Sequence, residues 1–447
     1  MTVSVRPLLA PVGRPVCFCF RAEFPFSFKE GGRYAVRCTP LSGIRRYALS
    51  KAGRAPDETA CAAMGVKHPA AAQGGMLRLT LALPQEDEYK LCVYDEEGRT
   101  LQTLKVYALE DDLYGTYPLK GDTHTHTCRS DGVESPAYVA AMCRKQGMDF
   151  TAVTDHGWYA PSEEAVRYWS VMRTDFQVLC GEEVHAPDAR AHILNIGGSA
   201  SVNAWAYGRE ADYRRAVEEK RRQIPDVLCE PDRLRAAASL AVFDKIREYG
   251  GLSVLCHPFW ETDEGYDISR DLTEWLLDHR AFDALEVIGG YWRHEYRSNH
   301  FQTAFYHQYC LHAGGSVPVL GESDSHGTDA GGLHGWYYSV VFARDFTFDA
   351  IREAVCAGRS VGVTALPGDI VRAYGPMRYV QYAAFLAEQV FPGHDAICRT
   401  QGDWMRQYLM GAAERLENLN GEPDAVRRYY DALAAERDTD PWNGKDD

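Results

Sequence analysis

Between residues 117 and 320, short apolar runs alternate with amphipathic helical stretches, and this alternation constrains the fold more than any other feature of the chain. The runs fall at 119–124, 150–155, 178–182, 192–196, 252–256, 284–288 and 317–320. Helical patterns occupy 136–146, 162–171 and 237–249 between them. Strands separated by crossover helices pair in parallel, as a barrel or a doubly wound sheet. Nearly every run ends in or beside an ionisable residue: His124, Asp155-His156, Glu183, His257, Glu286 and Asp324. His192 instead opens its run. The C-terminal ends of barrel strands are where such folds assemble their chemistry.

The densest of these ends is Gly-Asp-Thr-His-Thr-His-Thr-Cys-Arg-Ser-Asp-Gly, residues 121–132. Strand alternation puts His124 and His126 on one face, and the turn that follows adds the Asp131 carboxylate. A His-x-His pair alone is equally compatible with two packed, hydrogen-bonded histidines, so the rest of the chain decides its meaning. In order, the candidate ligands are His124, His126, Asp131, His156, Glu183, His192, His257, Asp324 and His326. Six imidazoles and three carboxylates without a thiolate suit Mn, Zn, Fe or Mg rather than a closed cysteine-zinc site. The set is too large for one ion and fits two or three divalent metal ions about 3.5–4 Å apart. Three carboxylates only partly neutralise that charge, so the pocket is expected to be electropositive and to attract a phosphate ester.

The 447-residue chain has a net charge of −15, which argues against long nucleic acid as a partner, because phosphate contacts require basic surface. A small phosphorylated substrate is expected instead. No apolar run reaches the roughly 18 residues of a membrane span, and the N-terminus lacks a basic stretch followed by an apolar core, so no membrane association is expected. Thirteen irregularly spaced cysteines fit reduced thiols and a cytoplasmic location. Oligomeric state is not legible.

The expected fold class is α/β: a distorted seven-stranded (β/α)7 TIM-like barrel with an N-terminal β-sandwich domain and a C-terminal helical extension. Residues 1–112 form the sandwich, with strand-like runs at 16–24, 34–38, 76–83, 89–94 and 101–107, and the Ala/Gly-rich segment 53–75 as a long loop. Residues 113–368 form the barrel, carrying a charged helical insertion at about 201–245. Residues 369–447 form the extension, helical over about 374–433 and ending in an acidic tail expected to be disordered.

Six ordered motifs support a more specific reading. Asp-Thr-His-Thr-His-Thr…Ser-Asp-Gly, Phe-Thr-Ala-Val-Thr-Asp-His, Gly-Glu-Glu-Val, His-Ile-Leu-Asn, Leu-Cys-His-Pro and Glu-Ser-Asp-Ser-His-Gly span about residues 118–365. Together they resemble the successive motifs of the PHP (polymerase and histidinol phosphatase) metal-dependent phosphoesterases. The resemblance implies a distorted seven-stranded barrel. It assigns His124, His126, Glu183 and Asp324 to one ion, Asp131, His156 and His326 to a second, and His192, His257 and a bridging Glu183 to a third. The activity implied is hydrolysis of a small phosphomonoester or short nucleotide through a metal-activated hydroxide. His326 or His257 would protonate the leaving oxygen, and Asp155, with Glu286, would orient an imidazole.

Arg129 lies in the first motif and is expected to touch phosphate. Arg293 and Arg297, in the aromatic segment 291–297, are the other candidate substrate-binding residues. His185 is a possible spare ligand, and Trp158 and Trp260 are candidate pocket walls. Two other functions compete. An amidohydrolase-type C–N hydrolase would also hold metals in a barrel, but typically through a bridging lysine where this chain has Glu183. A metal-containing binding or regulatory protein would use the cluster only to hold an acidic ligand.

Overall fold

The computed structural model describes residues 2–263, 265–328 and 332–435, and the acidic tail from 436 lies outside them. The chain divides into two compact units, Met1–Thr116 with Val426–Asp447, and Tyr117–Ala425.

The first unit is a single curled eight-stranded sheet. Its antiparallel strands alternate buried and exposed residues, and Phe18, Phe20, Val36, Leu77, Leu91 and Val106 meet in the core. The expected sandwich of two sheets is therefore a continuous one. The joining strand is Lys67–Gln73, which pairs with Arg33–Pro40 on one side and Met76–Ala82 on the other. It lies within the segment expected to be a loop, which also contains the helix Glu58–Ala63. Alanine has low strand propensity, and it is the burial of Ala70 and Ala72 that makes this stretch a strand. At the C-terminal end, the Leu433 carbonyl accepts hydrogen bonds from the Leu8 and Leu9 amides at 3.0 and 2.9 Å.

The second unit is mixed α/β. Apart from a two-residue pair at Glu261–Thr262 and Gly265–Tyr266, its strands are β1 (Tyr117–Asp122), β2 (Phe150–Ala152), β3 (Gln177–Leu179), β4 (Gly181–Val184), β5 (Ile193–Ile196), β6 (Leu252–Leu255), β7 (Ala284–Gly289), β8 (Val319–Glu322), β9 (Tyr337–Ala343), β10 (Ser360–Thr364) and β11 (Arg372–Tyr374). They form a six-stranded sheet, order β3-β2-β1-β9-β10-β11, and a five-stranded sheet, order β4-β5-β6-β7-β8. All seven expected runs contain strand, but they do not form one ring of seven parallel strands. The run at 178–182 is split between β3 and β4. The connection 185–192 is too short for a crossover helix, so β4 and β5 pair antiparallel, and β6 pairs antiparallel with β5 after a long helical connection. Strands β9 and β10, beyond the expected set, extend the first sheet antiparallel from β1.

The two sheets meet through side chains and isolated bridges. Ser339 on β9 donates its hydroxyl to the Gly321 carbonyl at 3.0 Å, and Ser360 on β10 donates to the Val319 carbonyl at 2.7 Å. Thr125 bridges Ser325 and His156 bridges Glu183, bringing the C-terminal ends of β1, β2, β4 and β8 together. Close approach of β7 and β8 requires Gly289. Its φ is +131°, and an added Cβ would lie 1.7 Å from the Glu322 carbonyl oxygen.

Three helices, Val202–Gly208, Glu210–Gln223 and Glu230–Glu248, occupy the long connection between β5 and β6. The helices Met377–Gln389, Phe391–Leu409 and Glu414–Gly421 belong to this unit rather than standing apart from it. Phe391–Leu409 lies on Pro136–Lys145 so closely that a Cβ on Gly402 would be 2.4 Å from the Lys145 Cα. No helix among the described residues is long and apolar enough to cross a membrane.

Candidate metal centre

Glu183 is the centre of the site. Its neighbour Glu182 faces the other way, as strand alternation requires, and accepts hydrogen bonds from the side chains of Ser201 and Asn203 and the Val202 amide. The Glu183 carboxylate is fully buried and lies 2.5 Å from His156 Nδ1, 2.6 Å from His192 Nδ1, 3.5 Å from His126 Nε2 and 3.6 Å from His124 Nε2. His257 Nε2 is 4.0 Å away. Asp324 enters from beyond β8, with Oδ1 2.9 Å from His126 Nε2 and 3.2 Å from His124 Nε2. Asp131 Oδ2 lies 3.3 Å from His326 Nε2 and 3.5 Å from His156 Nε2. All nine candidate ligands thus converge. Two of them, Asp324 (φ +52°) and His257 (φ +20°), hold positive φ without being glycine, a conformation tolerated where surrounding structure enforces it.

The donor set fits divalent cations. The buried atoms His124 Nε2, His126 Nδ1 and Nε2, His192 Nδ1, His257 Nε2, both Glu183 oxygens and Asp324 Oδ1 make no hydrogen bond. Buried polar atoms are almost always partnered, and a concentration of orphans on ligand-type side chains is what a cation site leaves when only the protein is considered. Three overlapping groups place their ligand atoms within 4.8 Å of one another: His126, Asp131, His156 and His326; His124, His126 and Glu183; and His124, His257 and Asp324.

Electrostatics follows the same geometry. Burial works to raise the Glu183 and Asp324 carboxyls, but the imidazoles around them outweigh it and hold both well below the usual carboxylate range. Burial would lower His192, yet Glu183 raises it to about 9. His257, fully buried and close to His192, is pushed down to about 3. Beneath the cluster, burial lifts Glu286 to about 7. Glu286 Oε2 lies 3.1 Å from His124 Nδ1, the imidazole-orienting contact expected of it. Such partners fix a ligand's tautomer and raise its basicity. Glu286→Gln is expected to weaken metal affinity about 10- to 100-fold, read by competition with a chromogenic chelator.

Asp155 departs from expectation. Its carboxylate accepts from the Thr127 amide and hydroxyl and from the Ser130 amide and hydroxyl, at 2.6–3.0 Å. It therefore orders the loop that carries Asp131 and orients no imidazole. A carboxylate surrounded by four such donors has little reason to seek a ring nitrogen. The three arginines also lie elsewhere. Arg129 pairs in bidentate fashion with Glu164 at 3.0 Å, Arg293 stacks 5.2 Å over Trp336 and donates to the Pro367 carbonyl, and Arg297 lies over Phe301. None of the three is among the described residues lining the cavity at the cluster. Its walls include His185, Trp260, Trp292, Glu295 and Leu333 beside the ligand set, while Trp158 is absent and 59% exposed. His185 Nε2 is 2.9 Å from His156 Nδ1. His326 and His257, the two candidate proton donors, both line the cavity.

A second meeting of donor types, Asp149, His394 and Cys398, lies away from the cavity. There Arg144 Nη1 is 3.0 Å from Asp149 Oδ1, so the carboxylate charge is already matched within the protein.

Among solved structures, parts of this chain are similar to a two-domain protein from Bacteroides vulgatus that contains a predicted PHP-like metal-dependent phosphoesterase. That match is 19% identical with a TM-score of 0.39, and it covers 56% of this chain and 66% of that one. Its structural neighbours include PHP-like metal-dependent phosphoesterases. A protein from Bifidobacterium adolescentis described as a metal-dependent phosphoesterase is 20% identical with a TM-score of 0.35, over 53% of this chain and 95% of that one. An amidohydrolase from Chromobacterium violaceum, solved with sulfate and no metal, is 20% identical with a TM-score of 0.32, over 47% of this chain and 88% of that one. No protein-family model and no curated protein matches the chain.

Proposed function

We propose that this protein is a metal-dependent phosphoesterase that hydrolyses a small phosphomonoester or short nucleotide in a reducing, cytoplasmic setting. The observation that carries the reading is the convergence of six imidazoles and three carboxylates, among which buried ligand atoms of His124, His126, His192, His257, Glu183 and Asp324 lack hydrogen-bond partners. On the assignment that the resemblance implies, His124, His126, Glu183 and Asp324 would hold one ion, Asp131, His156 and His326 a second, and His192 and His257 with Glu183 a third. The ions, of Mn, Zn, Fe or Mg type, would acidify water into a nucleophile near neutral pH and draw in the phosphate. The chain's own residues do the rest. Asp155 fixes the loop bearing Asp131, and Glu286 orients His124. Among the described residues the cavity wall has no lysine or arginine. His326, 36% exposed at its side chain against 4% for His257, is the more accessible proton donor to a leaving oxygen.

The amidohydrolase reading calls for a bridging lysine. Lys120, on β1, is instead held by Asp395 at 2.8 Å. The deciding experiment is elemental analysis of purified protein beside a phosphate-release screen over sugar phosphates, nucleotides and simple esters, with an amide panel in parallel. Stoichiometric metal and chelator-sensitive phosphate release are expected. Amide turnover without phosphate release would favour the C–N hydrolase, and a metal-loaded protein inert to both would favour the binding reading.

A further inference from the structure

The cavity over the cluster, about 520 Å³, has a wall of two kinds. One part is the imidazole and carboxylate set. The other is Trp260, Trp292 and Leu333, with the Glu295 carboxylate beside them.

Both indoles are held by specific local structure. The Trp260 amide donates to the His257 carbonyl at 3.0 Å, closing a turn that sets its ring 6.0 Å from the His257 ring and 5.7 Å from that of His192. The Trp292 amide donates to Glu295 Oε2 at 2.9 Å. The Trp292 ring sits over Gly332, where any Cβ would fall 2.2 Å from it, and lies edge-on to Trp336 at 6.3 Å. Despite this support, Trp260 and Trp292 remain 38% and 46% exposed. What distinguishes these two indoles from other exposed aromatic residues is that they share one cavity wall with convergent polar groups, the composition that small-molecule sites have. The same wall lacks lysine and arginine among the described residues, and Glu295 would repel a second anion. A substrate suited to it carries one phosphate, which goes to the cluster, and a flat uncharged body that meets the indoles.

Resting on the phosphoesterase reading, we propose that the substrate is a monophosphate ester of a planar aromatic or heterocyclic alcohol, with Trp260 and Trp292 as the residues that select the ring. Stacking on an indole is sequence- and substituent-tolerant because every such ring has a π-face. Glu295 adds an acceptor for a ring N–H.

The test compares benzyl phosphate with cyclohexylmethyl phosphate, esters of similar size and leaving-group acidity that differ in having a flat ring. Manganese-loaded wild-type protein is expected to favour the benzyl ester about tenfold in kcat/KM, mainly through KM. Trp260→Ala with Trp292→Ala should bring the two esters towards parity, and the Trp→Phe pair should restore most of the preference. No preference in the wild type, or a preference that survives the double alanine variant, overturns the proposal. The second measurement does not need turnover: adenosine, a flat uncharged ring, is expected to quench tryptophan fluorescence in wild type and not in the double variant. If neither ester is hydrolysed the phosphoesterase reading falls, while the quenching still decides the ring site. Absence of quenching, or equal quenching in the variant, rejects it.

Discussion

Replacing Glu183 with glutamine is expected to lower phosphate release about a thousandfold or more, with bound metal falling in parallel. The carboxylate is within 4.0 Å of ring nitrogens from His124, His126, His156, His192 and His257 and is buried completely. The amide has the same shape, so packing survives while one of three anionic ligands is lost. A metal ion supplies several kcal/mol of transition-state stabilisation, and at about 1.4 kcal/mol per tenfold its loss corresponds to roughly three orders of magnitude. His126→Ala should act in the same direction. Glu182→Gln, one residue away but turned towards Ser201 and Asn203, should keep its metal. A Glu183→Gln protein with full metal content and full turnover would remove the site assignment. Circular dichroism would check that each variant is folded.

The largest effect on stability is expected from His394→Ala. His394 is fully buried, with Nε2 2.9 Å from Asp149 and Nδ1 2.8 Å from Asp395. Asp149 also meets Arg144 at 3.0 Å, Arg144 meets Asp175 at 2.9 Å, and Asp395 meets Lys120 at 2.8 Å. Removing one member of a buried ionic network leaves its partners poorly compensated and costs about 3–5 kcal/mol. The effect depends on pH with a definite sign. Burial works to lower the His394 pKa, but the Asp149 charge outweighs it and raises the group well above its usual value near 6.5. A raised folded-state pKa gives stability that is fully present below about pH 6.5 and is lost as pH climbs through the folded value. Asp149 and Asp395 are depressed, so their contribution is present above about pH 4 and lost in stronger acid. Urea unfolding should therefore show the widest gap between wild type and His394→Ala at about pH 5–6.5 and a narrower gap in alkali. A gap independent of pH would mean that the imidazole acts only by filling space.

The positions where expectation and structure part are informative. Asp155 stands next to His156 in sequence, which invited a ligand-orienting role, yet its oxygens turn back to Thr127 and Ser130. Arg129 sits inside the first motif, but Glu164, on the helix Ala160–Trp169, is the group within reach. Trp292 and Leu333 share one cavity wall because the loops after β7 and β8 meet at Trp292 and Gly332, and nothing in the spacing of those loops announces it. Lys67–Gln73 has the composition of a loop and becomes a strand because two neighbours offer it their free edges.

Sequence alone was enough to name the nine convergent side chains and most of the strands that carry them. Period-two alternation and the short distance from a strand end to its next polar residue are local properties, independent of what surrounds them. Tertiary structure decided how those strands are shared between two sheets, what the pocket wall is made of, and which partner each long polar side chain takes. Arg144 reaches Gln401 across 257 residues of chain. A flexible guanidinium or carboxylate bonds to whatever donor or acceptor the finished fold brings within about 3 Å, and no sequence interval encodes that distance.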